Sequence, residues 1–349
     1  MSLYSRLVGL FSPLGNLPSE ALSYIAESLI MIIIATLGLA FMIYLFRKFM
    51  ARLQLRIGPN RVGKFGLLQV VADGLKLAGK ESIFPKGRDD LPYRVAPLIG
   101  MVGLILAFAV LPYGSLFWVG TVTIFDASGT SVSVILLFAI IAIMPIGEVL
   151  AGISSRNKYA LLGSLRSIAK DVSFEVPMMI SVLAVVMMAS ARTAYPLSIN
   201  SIVTTEILPY GILEPLGIFV FMVSMVARAS YTPFDMGESD SELITGYSTE
   251  YSGMRFAMFY MGLFGSILLG SFMVSLFYLG GFNGPLDSSL GVVWLVIKAL
   301  ILVLISFTIW LSMPRIRIDK FVNLGWKYLL PLSMINLILS GILTLGMGW

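Results

Sequence analysis

Asp171 and Glu175 stand four residues apart in a long apolar stretch, so they share one helical face. Glu148 lies near the end of the preceding apolar stretch, and a later polar segment carries Asp235, Glu238, Asp240, Glu242 and Glu250. Carboxylates gathered in a poorly solvated site resist full ionisation together, so such a set can hold, share and pass protons. A charge within hydrocarbon costs about 2.5–3.5 kcal/mol on insertion scales, which makes each ionisable group there a functional candidate. Glu27, Glu214 and Lys298 also fall in or beside apolar stretches, where function and simple reach toward the interface fit equally well. Glu206, in a loop, is expected to be a bystander.

The chain contains no cysteine and no histidine, which excludes disulfides, thiolate-held clusters and imidazole-held metals or haem. No residue set suggests a catalytic centre or a metal site, and no nucleic-acid partner is expected. Of 349 residues, 58% are hydrophobic and 12% charged, whereas a soluble domain has about 45–50% apolar and about 25% charged residues. With a mean hydropathy of +0.92, residues 1–349 read as one integral membrane domain, an all-α polytopic protein. A transporter, a channel, an enzyme of a lipid-soluble substrate and a membrane subunit of a larger machine all fit.

Eight apolar stretches are long enough to position these groups, at 24–46, 94–118, 131–152, 160–191, 211–228, 253–280, 290–313 and 327–348, given that a helix needs about 20 residues to span a bilayer. The fourth is too long for one straight span, so an interfacial turn is expected near Lys158, with the true span starting near Val172. Of the 24 basic residues, 21 fall in or beside the loops at 47–93, 153–171, 229–252 and 314–327. The positive-inside rule makes those loops cytoplasmic and puts both termini on the outer side of the cell membrane. The first stretch lacks a charged leader and a cleavage site at signal-peptide spacing, so it is expected to remain as a helix.

The loops differ in character. In 47–93, Gly58-Pro59-Asn60 signals a turn. Leu67, Leu68, Val71 and Leu75 then share one helical face, with Gln69, Asp73, Lys76 and Lys80 opposite. This predicts an amphipathic helix on the inner membrane surface over 65–80, with lysines for lipid phosphates; its charges fit positive-inside topology alone just as well. The acidic segment 229–252 fits either a solvated coil or, given Phe234, Tyr247 and Tyr251, a folded loop closing a site.

Four runs resemble the H subunit of respiratory complex I, which is subunit one of the mitochondrial enzyme. They are Gln54-Leu-Arg-Ile-Gly-Pro-Asn-Arg-Val-Gly63 with Ala72-Asp-Gly-Leu-Lys-Leu; Lys158-Tyr-Ala-Leu-Leu-Gly-Ser-Leu-Arg166 with Ser173-Phe-Glu175-Val; Pro233-Phe-Asp with Glu238, Ser241-Glu-Leu and Glu250-Tyr-Ser-Gly253; and Pro314-Arg-Ile-Arg-Ile-Asp319 with Trp326-Lys and Leu330-Pro331. The resemblance implies a subunit without its own redox centre in a proton-pumping quinone oxidoreductase, with NADH, ferredoxin or a deazaflavin as donor. No cofactor would be bound by this chain alone. Quinone would sit at its interface with peripheral iron–sulfur and quinone-site subunits, alongside antiporter-like and small membrane subunits. It further implies that Phe46, Gln54, Arg56, Phe234, Asp235, Arg315 and Arg317 border the quinone cavity, and that Glu148, Asp171, Glu175, Glu238, Asp240 and Glu242 couple quinone reduction to proton movement. The chain departs from the family pattern where Phe46 replaces a glutamate and Tyr231 an arginine, and Arg228 lies near a glutamate of some members. A related energy-converting hydrogenase subunit and a stand-alone ion or solute transporter are the alternatives; unequal inner loops and the lack of an internal repeat weigh against the transporter.

Overall fold

A computed structural model describes residues 16–116, 120–121, 131–206, 208–284 and 290–346. Its order is α1 (Asn16–Leu53), α2 (Gln69–Gly79), α3 (Asp90–Val110), a two-residue antiparallel pair β1 (Ser115–Leu116) and β2 (Gly120–Thr121), then α4 (Ser133–Ser154) and α5 (Lys158–Ser190). There follow α6 (Ile199–Thr205), α7 (Tyr210–Leu213), α8 (Pro215–Arg228), α9 (Asp240–Leu243), α10 (Met254–Tyr278), α11 (Gly291–Ser312), α12 (Ile318–Asn323) and α13 (Leu330–Gly346). Among the described residues, seven helical segments are long and apolar enough to cross a membrane. The protein is a helical, multi-pass membrane protein, and side chains such as Ile33, Leu37, Ile301 and Ile338 remain exposed on its flanks, as a lipid-facing surface requires.

Three expectations change. The stretch 211–228 yields only the 14-residue α8, about 21 Å long at 1.5 Å per residue, because Pro215 starts a new helix after the four-residue α7. The fourth stretch has no separate turn at its start: α5 runs unbroken for 33 residues from its N-cap Asn157, whose side chain accepts the Tyr159 N–H. The 314–327 segment is largely helical, since α12 joins α13 through a π-helical turn at Leu324–Leu329. Pro331 has no N–H for the Lys327 carbonyl, and that loosens the turn.

α5 is the central helix, packing on α4, α8 and α13, while α3 packs on α4 and α10. The acidic segment is a folded loop and not a solvated coil: Phe234, Met236, Tyr247 and Tyr251 are buried. It docks backbone to backbone on α5. A Cβ at Gly163 would come within 2.8 Å of the Gly246 Cα, and Gly246 itself has φ +55 with the Gly237 carbonyl in the space a side chain would need. Tyr93 stacks on Tyr251 at 4.2 Å and donates to the Glu250 carbonyl, while Asn157 donates to the Glu250 carboxylate at 2.7 Å. Glu250 is thus a tie between the loop and α5.

Candidate functional site

Three prolines inside helices prepare the site. Each removes the N–H that would bond the carbonyl four residues earlier. Pro97 frees the Tyr93 carbonyl, which accepts from the Tyr251 hydroxyl at 3.2 Å. Pro145 frees the Ile141 carbonyl, which accepts from Arg228 Nη2 at 2.8 Å. Pro177 frees the Ser173 carbonyl, opposite which Gly325 of the π-helical turn presents no side chain; a Cβ there would come within 2.6 Å. In this way two of the freed acceptors draw in a polar side chain from the neighbouring chain segment.

The charges converge on these helices. Lys170, 1% exposed, pairs with Asp171 at 3.4 Å and donates to the Ser230 hydroxyl and, at 3.4 Å, to the Arg228 carbonyl. Arg228 Nη1 lies 3.9 Å from Glu175 Oε1. Glu148 accepts a hydrogen bond from Ser167. A cavity of about 40 Å³ is bordered by Glu148, Asp171, Arg228, Ser230, Tyr247 and Pro145, and a void of about 10 Å³ by Asp171, Glu175, Ser224 and Arg228. The larger has room for water, which needs about 10–15 Å³ and several polar partners. Glu148, Asp171 and Glu175 therefore gather at one site, as their positions in the chain suggested.

The acidic loop divides into two parts. Glu238 faces the cluster, accepting from Tyr247; burial, reinforced by Asp235, pushes its carboxyl from 4.5 to about 8. Glu242 is exposed at the surface, bonded to Arg166 with Arg315 at 3.6 Å, and the two guanidiniums, Arg166 foremost, hold its carboxyl below the ordinary glutamate value. It ties the loop to α5 and to the segment before α12, outside the buried cluster. Asp240 opens α9, and its side chain lies outside the described residues.

The seven residues assigned to a quinone cavity fall in separate places. Phe46 is buried, stacked on Trp310 at 4.0 Å with Phe264 and Phe307 at its edges; Tyr231 packs on the same Trp310 at 3.7 Å. Phe46 and Tyr231 thus meet on one indole. Phe234 packs with Phe174 and Phe321, while Asp235 lies beside Glu238. Gln54 accepts from Arg56 at 2.8 Å on the exposed first loop, where Arg56, Arg47, Arg61 and Gln69 border a hollow of about 760 Å³. Arg315 lies by Glu242, and Arg317, exposed, stands at the N-cap position of α12 without a side-chain hydrogen bond to it. The contacts of these seven residues lie apart from one another, so a cavity built from them needs further walls.

In α2 the opposed faces are as expected: Leu68, Val71 and Leu75 are exposed, while Asp73 accepts from Arg47 and from Gln69. The helix is shorter than the expected 65–80: it begins at Gln69, after a tight turn at Lys64–Gly66, and ends at Gly79, so Leu67, Leu68 and Lys80 flank it. Of the uncertain groups elsewhere, Lys298 donates to the carbonyls of Leu279, Gly281 and Asn283 at 2.7, 2.9 and 2.7 Å, closing the end of α10; the side chain of Glu27 lies outside the described residues. Lys170, Ser167 and Ser230 were not singled out from sequence, Tyr247 stood out only as a sign of a folded loop, and Arg228 only as a departure from the family pattern. Pro145 signals a free carbonyl at Ile141, and only the fold shows that Arg228 fills it. Among the described residues no set of acidic groups could hold a metal ion.

Residues 26–341 match the family described as NADH dehydrogenase. Two strains of Dehalococcoides mccartyi carry similar proteins, each named as the H subunit of an NADH-quinone oxidoreductase. One is 40% and the other 41% identical to this chain over 300 residues, 85% of the chain and 80% of each relative.

Proposed function

The chain belongs to the NADH dehydrogenase family, and from that premise we propose that it is the H-type membrane subunit of a proton-pumping quinone oxidoreductase. The buried cluster is the observation that carries the coupling role: two cations, Lys170 and Arg228, lie among Asp171, Glu175 and Glu148, and Arg228, Asp171 and Glu148 border a water-sized cavity. Reducing a quinone consumes protons and builds negative charge in a poorly solvated space. Such charge pulls on cations that have more than one acceptor, and carboxylates that lose a partner take up a proton. Lys170 has Asp171, Ser230 and the Arg228 carbonyl within reach. Glu238 connects this cluster to the acidic loop, and Glu242 with Arg166 and Arg315 fixes that loop. The name the relatives carry favours quinone over the hydrogenase and transporter alternatives.

The quinone itself would be enclosed between the inner loops and partner subunits that carry the redox centres, since this chain has neither cysteine nor histidine. Gln54, Arg56, Phe46, Phe234, Asp235, Arg315 and Arg317 are its proposed border, and α2 lies on the inner leaflet. Both termini face outward, so single cysteines at Lys86 and at the exposed Tyr195 label from opposite sides. The deciding experiment is purification of the intact complex with its lipids and reconstitution in vesicles, wild type and Glu175→Gln. The wild type reduces quinone and acidifies one compartment; the variant assembles, keeps electron transfer within the peripheral subunits, and loses quinone-linked pumping. Normal pumping by an intact variant makes Glu175 structural.

A further inference from the structure

A second buried carboxylate stands at the opposite end of α8. Glu214 is 2% exposed; its Oε2 accepts from Asn336 Nδ2 at 3.2 Å, and its Oε1 is buried with no partner among the described residues. Because α8 has 14 residues, about 21 Å against a hydrocarbon thickness of about 30 Å, its two ends cannot both reach an interface. Its partner Asn336 stands in the middle of α13 (Leu330–Gly346), so the Glu214 carboxylate lies at hydrocarbon depth, shielded by protein. Space is made for it: a Cβ at Gly217 would come within 2.8 Å of Asn336 Nδ2, 3.1 Å of Glu214 Oε2 and 3.2 Å of the Tyr278 ring.

The site is linked outward. The Glu214 N–H donates to the Tyr210 carbonyl at 2.7 Å, and the Tyr210 N–H donates to Glu206 Oε1 at 2.6 Å. Glu206 keeps its other oxygen buried and unpartnered among the described residues. Burial holds that carboxyl at about 7, against the opposing pull of the Tyr210 N–H and of Lys298. Inward, Arg228, Ser224, Phe221, Gly217 and Glu214 repeat at helical spacing on one face of α8. Ser224 is fully buried, unpartnered among the described residues, and borders the void that Asp171, Glu175 and Arg228 share. Phe221 interrupts this face; it is fully buried, 5.7 Å from Tyr278.

We propose that Glu214 is an intramembrane proton-binding site reached from the outer side past Glu206, and that Phe221 separates it from the inner charge cluster. A polar line without such a break would conduct protons back across the membrane, whereas a carboxylate on each side of an apolar ring stores a proton until the ring or its neighbours move. The groups facing Glu214 are Asn336 of α13, Tyr278 of α10 and Tyr210 of α7, none of them a permanent charge.

This inference rests on the chain working in a proton-pumping complex. Two experiments on the intact complex test it. The first treats wild type with dicyclohexylcarbodiimide, an apolar reagent that adds to protonated carboxyls, and maps the adduct by mass spectrometry. Glu214 is expected to be modified; its escape while the complex is otherwise labelled overturns the proposal. The second compares Glu214→Gln with wild type in vesicles. The amide keeps the bond to Asn336, so quinone reduction continues while protons moved per quinone fall; an unchanged ratio overturns the proposal. A wild-type complex with no quinone reductase activity would instead sink the broader functional reading, leaving the labelling result to decide the site.

Discussion

Arg228 Nη1 stops 3.9 Å from Glu175 Oε1, within Coulomb range and beyond hydrogen-bonding range, because Nη2 is held at 2.8 Å by the Ile141 carbonyl that Pro145 leaves free. The side chains are only 14% and 18% exposed, so each partially desolvated charge depends on the other. A small rotation of the guanidinium would close the pair or release it, which is the property a charge-coupled switch needs.

Arg228→Gln is therefore expected to destabilise the protein more than removal of both charges. Breaking a buried pair from one side costs about 3–5 kcal/mol, since a lone charge remains. The double variant Arg228→Gln with Glu175→Gln should melt above the single arginine variant, and its quinone-linked pumping should be no lower than that of either single variant. Thermal unfolding of the solubilised complex and vesicle pumping assays read the two quantities. Additive losses would mean the residues act independently.

Pro145→Ala tests the origin of that geometry. Alanine restores the N–H that the Ile141 carbonyl lacks, so the helix and Arg228 compete for one oxygen. The expected result is unchanged or raised thermal stability with quinone-linked turnover down about tenfold, equivalent to about 1.4 kcal/mol. A proline that serves only helix shape would change stability and leave turnover alone.

Much of this site could be read from the chain before its fold was known. Spacing alone put Asp171 and Glu175 on one face, and the expense of charge in hydrocarbon singled out Glu148. Glu242 could not be told from Glu238 by composition, because what distinguishes them is tertiary: Arg166 and Arg315 meet Glu242 at the surface, while Tyr247 and burial enclose Glu238. Lys170 looked like topology-setting charge, yet it is buried. Glu206 looked like a bystander and is half enclosed with an oxygen unpartnered among the described residues. The shortness of α8 was hidden because hydropathy does not register that Pro215 begins a new helix.

Glu238 offers a pH test with a definite sign. In the fold its carboxyl titrates at about 8, against an ordinary value of 4.5, chiefly through burial, with Asp235 adding repulsion and Tyr247 a partial offset; Glu148 and Lys170 oppose each other with smaller effects. The native chain thus holds a proton that the unfolded chain releases above 4.5, so stability falls as pH rises from 4.5 to about 8 and then levels off. Glu238→Gln removes that slope while keeping an acceptor for Tyr247. Its melting temperature should converge with wild type at the acid end of the window and exceed it at the alkaline end. Tyr247→Phe removes the hydrogen bond that lowers the Glu238 value, so the slope should extend to higher pH. Melting curves for wild type and both variants, taken in steps across the window, measure the difference directly. Parallel wild-type and Glu238→Gln curves would show that Glu238 is already ionised in the fold and carries no proton for the inner cluster to use.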